Sequence, residues 1–139
     1  MECVIDCSLA LAWVLPDEAS GRAERFLERL PPEAVLRVPG LWWYELSNAL
    51  VMAQRRKRLA DVDRRRALDL FKNLPIETDL DIGAELSGRL QGLAHRYTLS
   101  AYDAAYLDLA QRLDLGLGTI DRPLAAAARR AGVRVLSSE

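Results

Sequence analysis

Short apolar runs of β character recur along the chain, and stretches of helical periodicity separate them. The runs are Cys3-Val4-Ile5, Val35-Leu36-Arg37-Val38, Pro75-Ile76-Glu77-Thr78, Leu117-Gly118-Thr119-Ile120 and Val133-Arg134-Val135-Leu136. Between them, apolar spacing predicts helices over 8–15, 18–30, 41–58, 62–72, 80–96, 101–113 and 122–131. Pro16, Pro31-Pro32 and Pro39-Gly40 punctuate the alternation. Strands joined through helices pair in parallel, because a parallel pair needs a long crossover. The pattern therefore predicts an α/β fold: a central, mostly parallel sheet of four to five strands with helices on both faces. No repeat, low-complexity tract or linker interrupts it, so residues 1–139 read as a single domain.

Charge narrows the function classes. Nineteen Lys and Arg face 20 Asp and Glu, for a net charge of -1. Such a chain is no disordered polyelectrolyte, and it lacks a bulk basic excess. Any nucleic-acid role must come from local patterning. Cys3 and Cys7 are the only cysteines; on an extended segment their Cα atoms lie about 13 Å apart, beyond the roughly 7 Å a disulfide spans. With a single histidine, His95, and no CxxC, a structural zinc site is not expected. The apolar run Leu9 to Leu15 follows Glu2 and Asp6 and is too short for a signal peptide or membrane span. The expectation is a cytoplasmic protein with no membrane partner.

Four carboxylates stand where solvated acids do not belong. Asp6 ends the first strand and Asp121 follows the Thr119-Ile120 run. In open parallel sheets, ligands bind outside the carboxyl ends of strands. Glu45 shares a helical stripe with Trp42, Leu46 and Ala49, and Asp103 shares one with Tyr106, Leu107 and Ala110. Both lie near helix N-termini, which border the same crevice. Two like charges about 4 Å apart repel by roughly 4 kcal/mol at an effective dielectric of 20. A set of such acids keeps some protons or takes a cation, and an all-carboxylate shell selects Mg²⁺, with Mn²⁺ as the alternative. That is the chemistry of a metal-dependent nuclease.

Each acid also has a structural reading, and both stay open. Asp103 stands three residues after Ser100, as in a capping box. Asp121 is placed to cap the helix that begins at Arg122. Glu45 complements a helix dipole. Asp6 has only the short helix after it to cap.

Five motifs carry a resemblance. Val4-Ile5-Asp6-Cys7-Ser8, Trp43-Tyr44-Glu45-Leu46-Ser47-Asn48-Ala49-Leu50, Ser100-Ala101-Tyr102-Asp103-Ala104-Ala105-Tyr106-Leu107, Gly118-Thr119-Ile120-Asp121-Arg122-Pro123-Leu124 and Ala131-Gly132-Val133-Arg134-Val135-Leu136 together resemble a PIN-domain ribonuclease. The resemblance is to the VapC-type toxin of prokaryotic toxin–antitoxin pairs and spans nearly the whole chain. It implies a PIN-like three-layer sandwich and assigns Asp6, Glu45, Asp103 and Asp121 to the divalent metal. It implies support from Ser8 and Thr119 through their hydroxyls, and a polar position beside the metal at Asn48. It further implies hydrolysis of RNA to a 5′-phosphate and a 3′-hydroxyl, a cognate antitoxin and a homodimer. Cys7 stands where the family usually has Ala, and Gly118 where a small residue precedes Thr.

Arg55-Arg56-Lys57-Arg58 and Arg64-Arg65-Arg66 flank one predicted helix–helix turn. They read either as a solvated hairpin paired to Asp61, Asp63 and Asp69, or as a rim that steers RNA phosphates. Trp42 and Trp43 point about 100° apart on a helix, so at most one faces the core fully; the other packs on its own helix or serves an interface. The run around Trp13 reads as a buried helix or as a groove for an apolar partner segment. Two other functions compete. One is a catalytically silent PIN-like module that binds RNA or protein, which loss of an acid would signal; all four are present. The other is phosphoryl transfer through an aspartyl nucleophile at Asp6, disfavoured by Ser8 two residues on and by both lysines (Lys57, Lys72) lying early in the chain.

Overall fold

The computed structural model describes residues 1–136. Four strands form one parallel sheet: β1 (Glu2–Ile5), β2 (Val35–Pro39), β3 (Ile76–Asp79) and β4 (Gly116–Gly118), in the order β3-β2-β1-β4. Cys3 aligns with Leu36 on one side and Gly116 on the other. Leu36 aligns in turn with Ile76. Successive residues of a strand face opposite sides of the sheet. Cys3, Val4 and Ile5 are nevertheless all fully buried, so both faces of β1 are covered.

Seven α-helices among the described residues do the covering: α1 (Cys7–Val14), α2 (Gly21–Glu28), α3 (Gly40–Arg55), α4 (Asp61–Asn73), α5 (Ala84–Tyr97), α6 (Ala101–Leu113) and α7 (Arg122–Arg130). Helix α6 crosses β1, β2 and β4 and carries α5 on its outer side. Its residues from Ala104 to Ala110 are all buried, as for a helix enclosed on every side. Helix α1 packs against α2 and α3. Gly118 has to be small here, because a Cβ would stand 3.0 Å from Leu9 Cδ2 and 3.1 Å from Phe26 Cζ.

The predicted α/β architecture is the observed one; several boundaries move for physical reasons. The stretch predicted as helix from 18 splits into a 3-10 turn at Pro16–Glu18 and α2, which Ser20 caps. Helix α3 stops at Arg55, before Lys57 adopts a positive φ of 57° in the turn to α4. Helix α5 begins at Ala84, not 80: Asp79 and Asp81 are held by Arg112 and Arg89, at 2.7 and 2.5 Å, and Gly83 has φ 119°. Leu80 and Ile82 are left exposed on the intervening loop. Strand β4 ends at Gly118, two residues before the predicted Ile120. Of the last predicted strand, 133–136, one parallel bridge forms, between Val135 and Leu117.

Candidate active site

All four strands point the same way, so their carboxyl ends share one edge of the sheet. Asp6 leaves β1 there and caps α1, its Oδ1 accepting from the Leu9 N–H at 3.0 Å. Asp121 follows β4 and caps α7, its Oδ1 accepting from the Leu124 N–H at 3.0 Å. Both capping roles read from the sequence are therefore present, and they orient the carboxylates without neutralising them. Ser100 caps α6 through the Asp103 N–H at 3.0 Å. The Asp103 carboxylate makes no hydrogen bond among the described residues. Glu45, in the second turn of α3, accepts a short hydrogen bond from the Tyr106 hydroxyl.

The four acids line one cavity of about 370 Å³, together with Ser8, Asn48 and Tyr106. Asp6 is the most buried of the four acids, 4% exposed. The Thr119 hydroxyl donates to Asp6 Oδ2 at 2.5 Å, and Ser8 donates to both carboxylate oxygens at 2.8 Å. Thr119 Oγ1 also accepts from the Asp121 N–H at 3.0 Å, tying the two strand ends together. Asn48 is exposed on the rim.

Electrostatics follows this geometry. Burial pushes the Asp6 carboxyl up to about 6; the Thr119, Leu9 and Ser8 donors pull against that, while the Asp121 charge adds to it. Asp103 is raised by burial, then by Asp121 and Glu45. The Tyr106 hydroxyl is raised by burial and by its bond to Glu45, so it stays a protonated donor. Among the described residues no cationic side chain lines this cavity.

The donor set fits Mg²⁺ or Mn²⁺: carboxylate oxygens only, partly ordered, with excess negative charge. Among the described residues no three His, Cys, Asp or Glu form a ready-made metal cluster.

Two lining residues had no role in the sequence reading. Tyr106 read as core, although at i+3 from Asp103 it lies one turn below it on the same face. Glu18 faces the cavity from the 3-10 turn and pairs with Arg58 at 3.4 Å; its sequence position gives no hint of this. The basic runs are partly consumed: Arg58 by Asp17 at 2.6 Å, Arg64 and Arg65 by Asp61 at 2.7 and 3.1 Å, and Arg66 by Asp63 at 3.7 Å. Arg55, Arg56 and Lys57 make no ion pair among the described residues. Trp42 is wholly buried; Trp43 is half-buried and donates to Thr78 Oγ1 at 2.8 Å. Trp13 is half-buried and donates to the Ala23 carbonyl at 2.8 Å. His95 is exposed at the end of α5. Cys3 and Cys7 are both free and buried. No helix among the described residues is long and apolar enough to cross a membrane.

The PIN domain family model matches residues 3–130, and the chain belongs to that family. Within it, a VapC ribonuclease of Mycobacterium bovis is 37% identical over 120 residues, covering 85% of this chain and 84% of the relative. Ribonuclease VapC3 of Pyrobaculum aerophilum is 32% identical, covering 90% and 93%. The crystal structure of VapBC2 from Rickettsia felis, bound to a fragment of promoter DNA, superimposes with a TM-score of 0.66 at 13% identity over 98% of both chains. That likeness is one of fold.

Proposed function

We propose that this chain is a Mg²⁺-dependent endoribonuclease, with Mn²⁺ as a substitute, and the toxin of a toxin–antitoxin pair. The observation that carries the reading is the cavity itself: Asp6, Glu45, Asp103 and Asp121 line it from four separate segments, and among the described residues no cationic side chain lines it with them. The two relatives above 30% identity, both named as ribonucleases, support the substrate class. The VapBC2 neighbour supports an antitoxin partner. A homodimer in the cytoplasm completes the proposal.

In this mechanism the four carboxylates would hold the cation. When bound, it supplies a water of lowered pKa and stabilises charge building on the phosphodiester. Ser8, Thr119 and the Leu9 N–H fix both oxygens of Asp6, so its position does not depend on the cation. Tyr106 holds one oxygen of Glu45 and leaves the other to face the cavity. Water attacks phosphorus, the bond to the 3′ oxygen breaks, and a 5′-phosphate and a 3′-hydroxyl result.

A silent binding module has one observation in its favour, the lack of a ready-made metal cluster among the described residues. One assay separates the two: purified protein and RNA with Mg²⁺, with Mn²⁺ and with EDTA. The expected result is cleavage with either metal and none with EDTA or with Asp6→Asn. Binding without cutting would favour the module, and metal-independent cleavage surviving Asp6→Asn would overturn the mechanism. Growth arrest on expression, relieved by Asp103→Ala, tests the toxin role.

A further inference from the structure

A polyanion approaching the carboxylate cavity meets Asp6, Glu18, Glu45, Asp103 and Asp121 at once. Its affinity has to come from cations on a flank. Helix α2 supplies such a flank on the β4 side of the sheet. Arg22, Arg25 and Arg29 fall at i, i+3 and i+7, on one face, and span about 10 Å at 1.5 Å per residue. Arg25 and Arg29 line a cavity of about 220 Å³ with Arg134, at the end of the sheet where β1 and β4 begin. Arg22 lines that cavity and also a second, of about 250 Å³, which it shares with Arg122, Arg129 and Asp121. Arg22 thus links the end of the sheet where β1 and β4 begin to one of the four acids.

These cations are not spoken for. Arg22, Arg25, Arg29, Arg122, Arg129 and Arg134 make no ion pair among the described residues. The basic runs of α3 and α4 differ, since most of their guanidiniums are paired. Glu2, the acid that lines the first of these cavities, pairs with Arg37 at 3.3 Å. Glu24 and Glu28 on α2 are exposed and pair with none of the arginines. Guanidinium forks match phosphate oxygens two at a time, which suits arginine to this task better than lysine.

We propose that the unpaired arginines of α2, Arg134 and the start and end of α7 form a path that holds the RNA phosphate backbone and leads it across the carboxylate cavity. The proposal takes its occupant from the ribonuclease reading. It differs in what it assigns: a binding surface outside the acids, built from arginines other than those of the α3–α4 basic run.

The test is equilibrium binding of a short fluorescein-labelled single-stranded RNA to the full chain in EDTA, across a range of salt. Arg25→Glu with Arg29→Glu is compared with Lys72→Glu with Arg96→Glu, an equal change of charge elsewhere on the surface. The path variant is expected to lose at least tenfold in affinity. Its slope of log affinity against log salt should shrink by about 1.4, at roughly 0.7 per single-strand phosphate contact. The Lys72 and Arg96 variant should keep the slope. Arg25→Gln with Arg29→Gln should shift both quantities in the same direction, and it decides the matter if circular dichroism shows the glutamate variant unfolded. Equal losses in both charge-reversal variants, an unchanged slope, or tighter binding of polyglutamate than of RNA at these arginines would overturn the path; the last would assign it to an acidic protein segment. Because EDTA removes cleavage, failure of the nuclease reading shows up separately. RNA held with the full slope but never cut with Mg²⁺ leaves the path standing and sinks the nuclease.

Discussion

Two carboxylates in this protein are almost equally buried and are treated in opposite ways. Asp108, 3% exposed on α6, is clamped by Arg89 at 2.9 Å and by Arg112 at 2.9 Å. Those arginines reach on to Asp81 and Asp79, so the group closes into a network of paired charges. Asp6, 4% exposed, has hydroxyls and one amide around it, and the charges nearest to it are other acids. Burying a charge is tolerable when it is paired and costly when it is not. Asp108 is thus a fastener that joins α5, α6 and the end of β3. Asp6 carries an unbalanced charge of the kind a divalent cation would balance.

The contrast can be broken or sharpened in several ways. The largest effect should fall on catalysis. Asp6→Asn should lower Mg²⁺-dependent RNA cleavage by more than about 100-fold, whereas Asp108→Asn, assayed well below its melting temperature, should cleave at close to the wild-type rate. Comparable losses would erase the distinction. Next come the groups that orient the acids: Tyr106→Phe and Thr119→Val should each lower cleavage by about 10-fold, the lower end of what losing a ligand's hydrogen-bond partner costs. Stability in EDTA should then move in opposite directions. Asp108→Asn should lose about 2–3 kcal/mol by chemical denaturation near neutral pH, since two guanidiniums lose their buried partner. Asp6→Asn should gain about 1–2 kcal/mol, since it removes an unpaired charge and keeps an acceptor for the Leu9 N–H.

The smallest effect is the pH dependence of that gain. Burial raises the Asp6 carboxyl to about 6 in the folded chain. A raised carboxyl contributes stability that is complete below its ordinary value and is lost as pH rises through about 6. The advantage of Asp6→Asn over wild type should accordingly vanish near about pH 4 and be complete above about pH 7. Denaturation midpoints measured in EDTA at a series of pH values check this. A pH-independent difference would mean that burial does not raise the Asp6 carboxyl.

Much of the site was legible because it rests on local grammar. Asp6 and Asp121 each follow a β run and precede a helix, so strand direction and capping alone place them at one edge. Glu45 and Asp103 show in helical spacing as acids on apolar stripes. What escaped reading depends on contacts distant in sequence. Tyr106 reaches Glu45 across 61 positions. Arg89 and Arg112 claim Asp108, and through Asp81 and Asp79 they delay the start of α5. The arginines of α2 carry no role in the sequence pattern; their place beside β4 and α7 depends on the fold. Thr119 was expected inside a strand; its hydroxyl is committed to Asp6 and to the Asp121 amide, and the chain leaves the sheet one residue earlier.

The central claim is that the acids around Asp6 act together as one cation site. Calorimetric titration of Mn²⁺ into metal-free protein tests it most directly, with Asp6→Asn, Asp103→Asn and Asp108→Asn in parallel. The account predicts saturable binding to the native chain and to Asp108→Asn, and none, or binding at least about 10-fold weaker, to the other two. Native-like affinity in the Asp6 and Asp103 variants would contradict it.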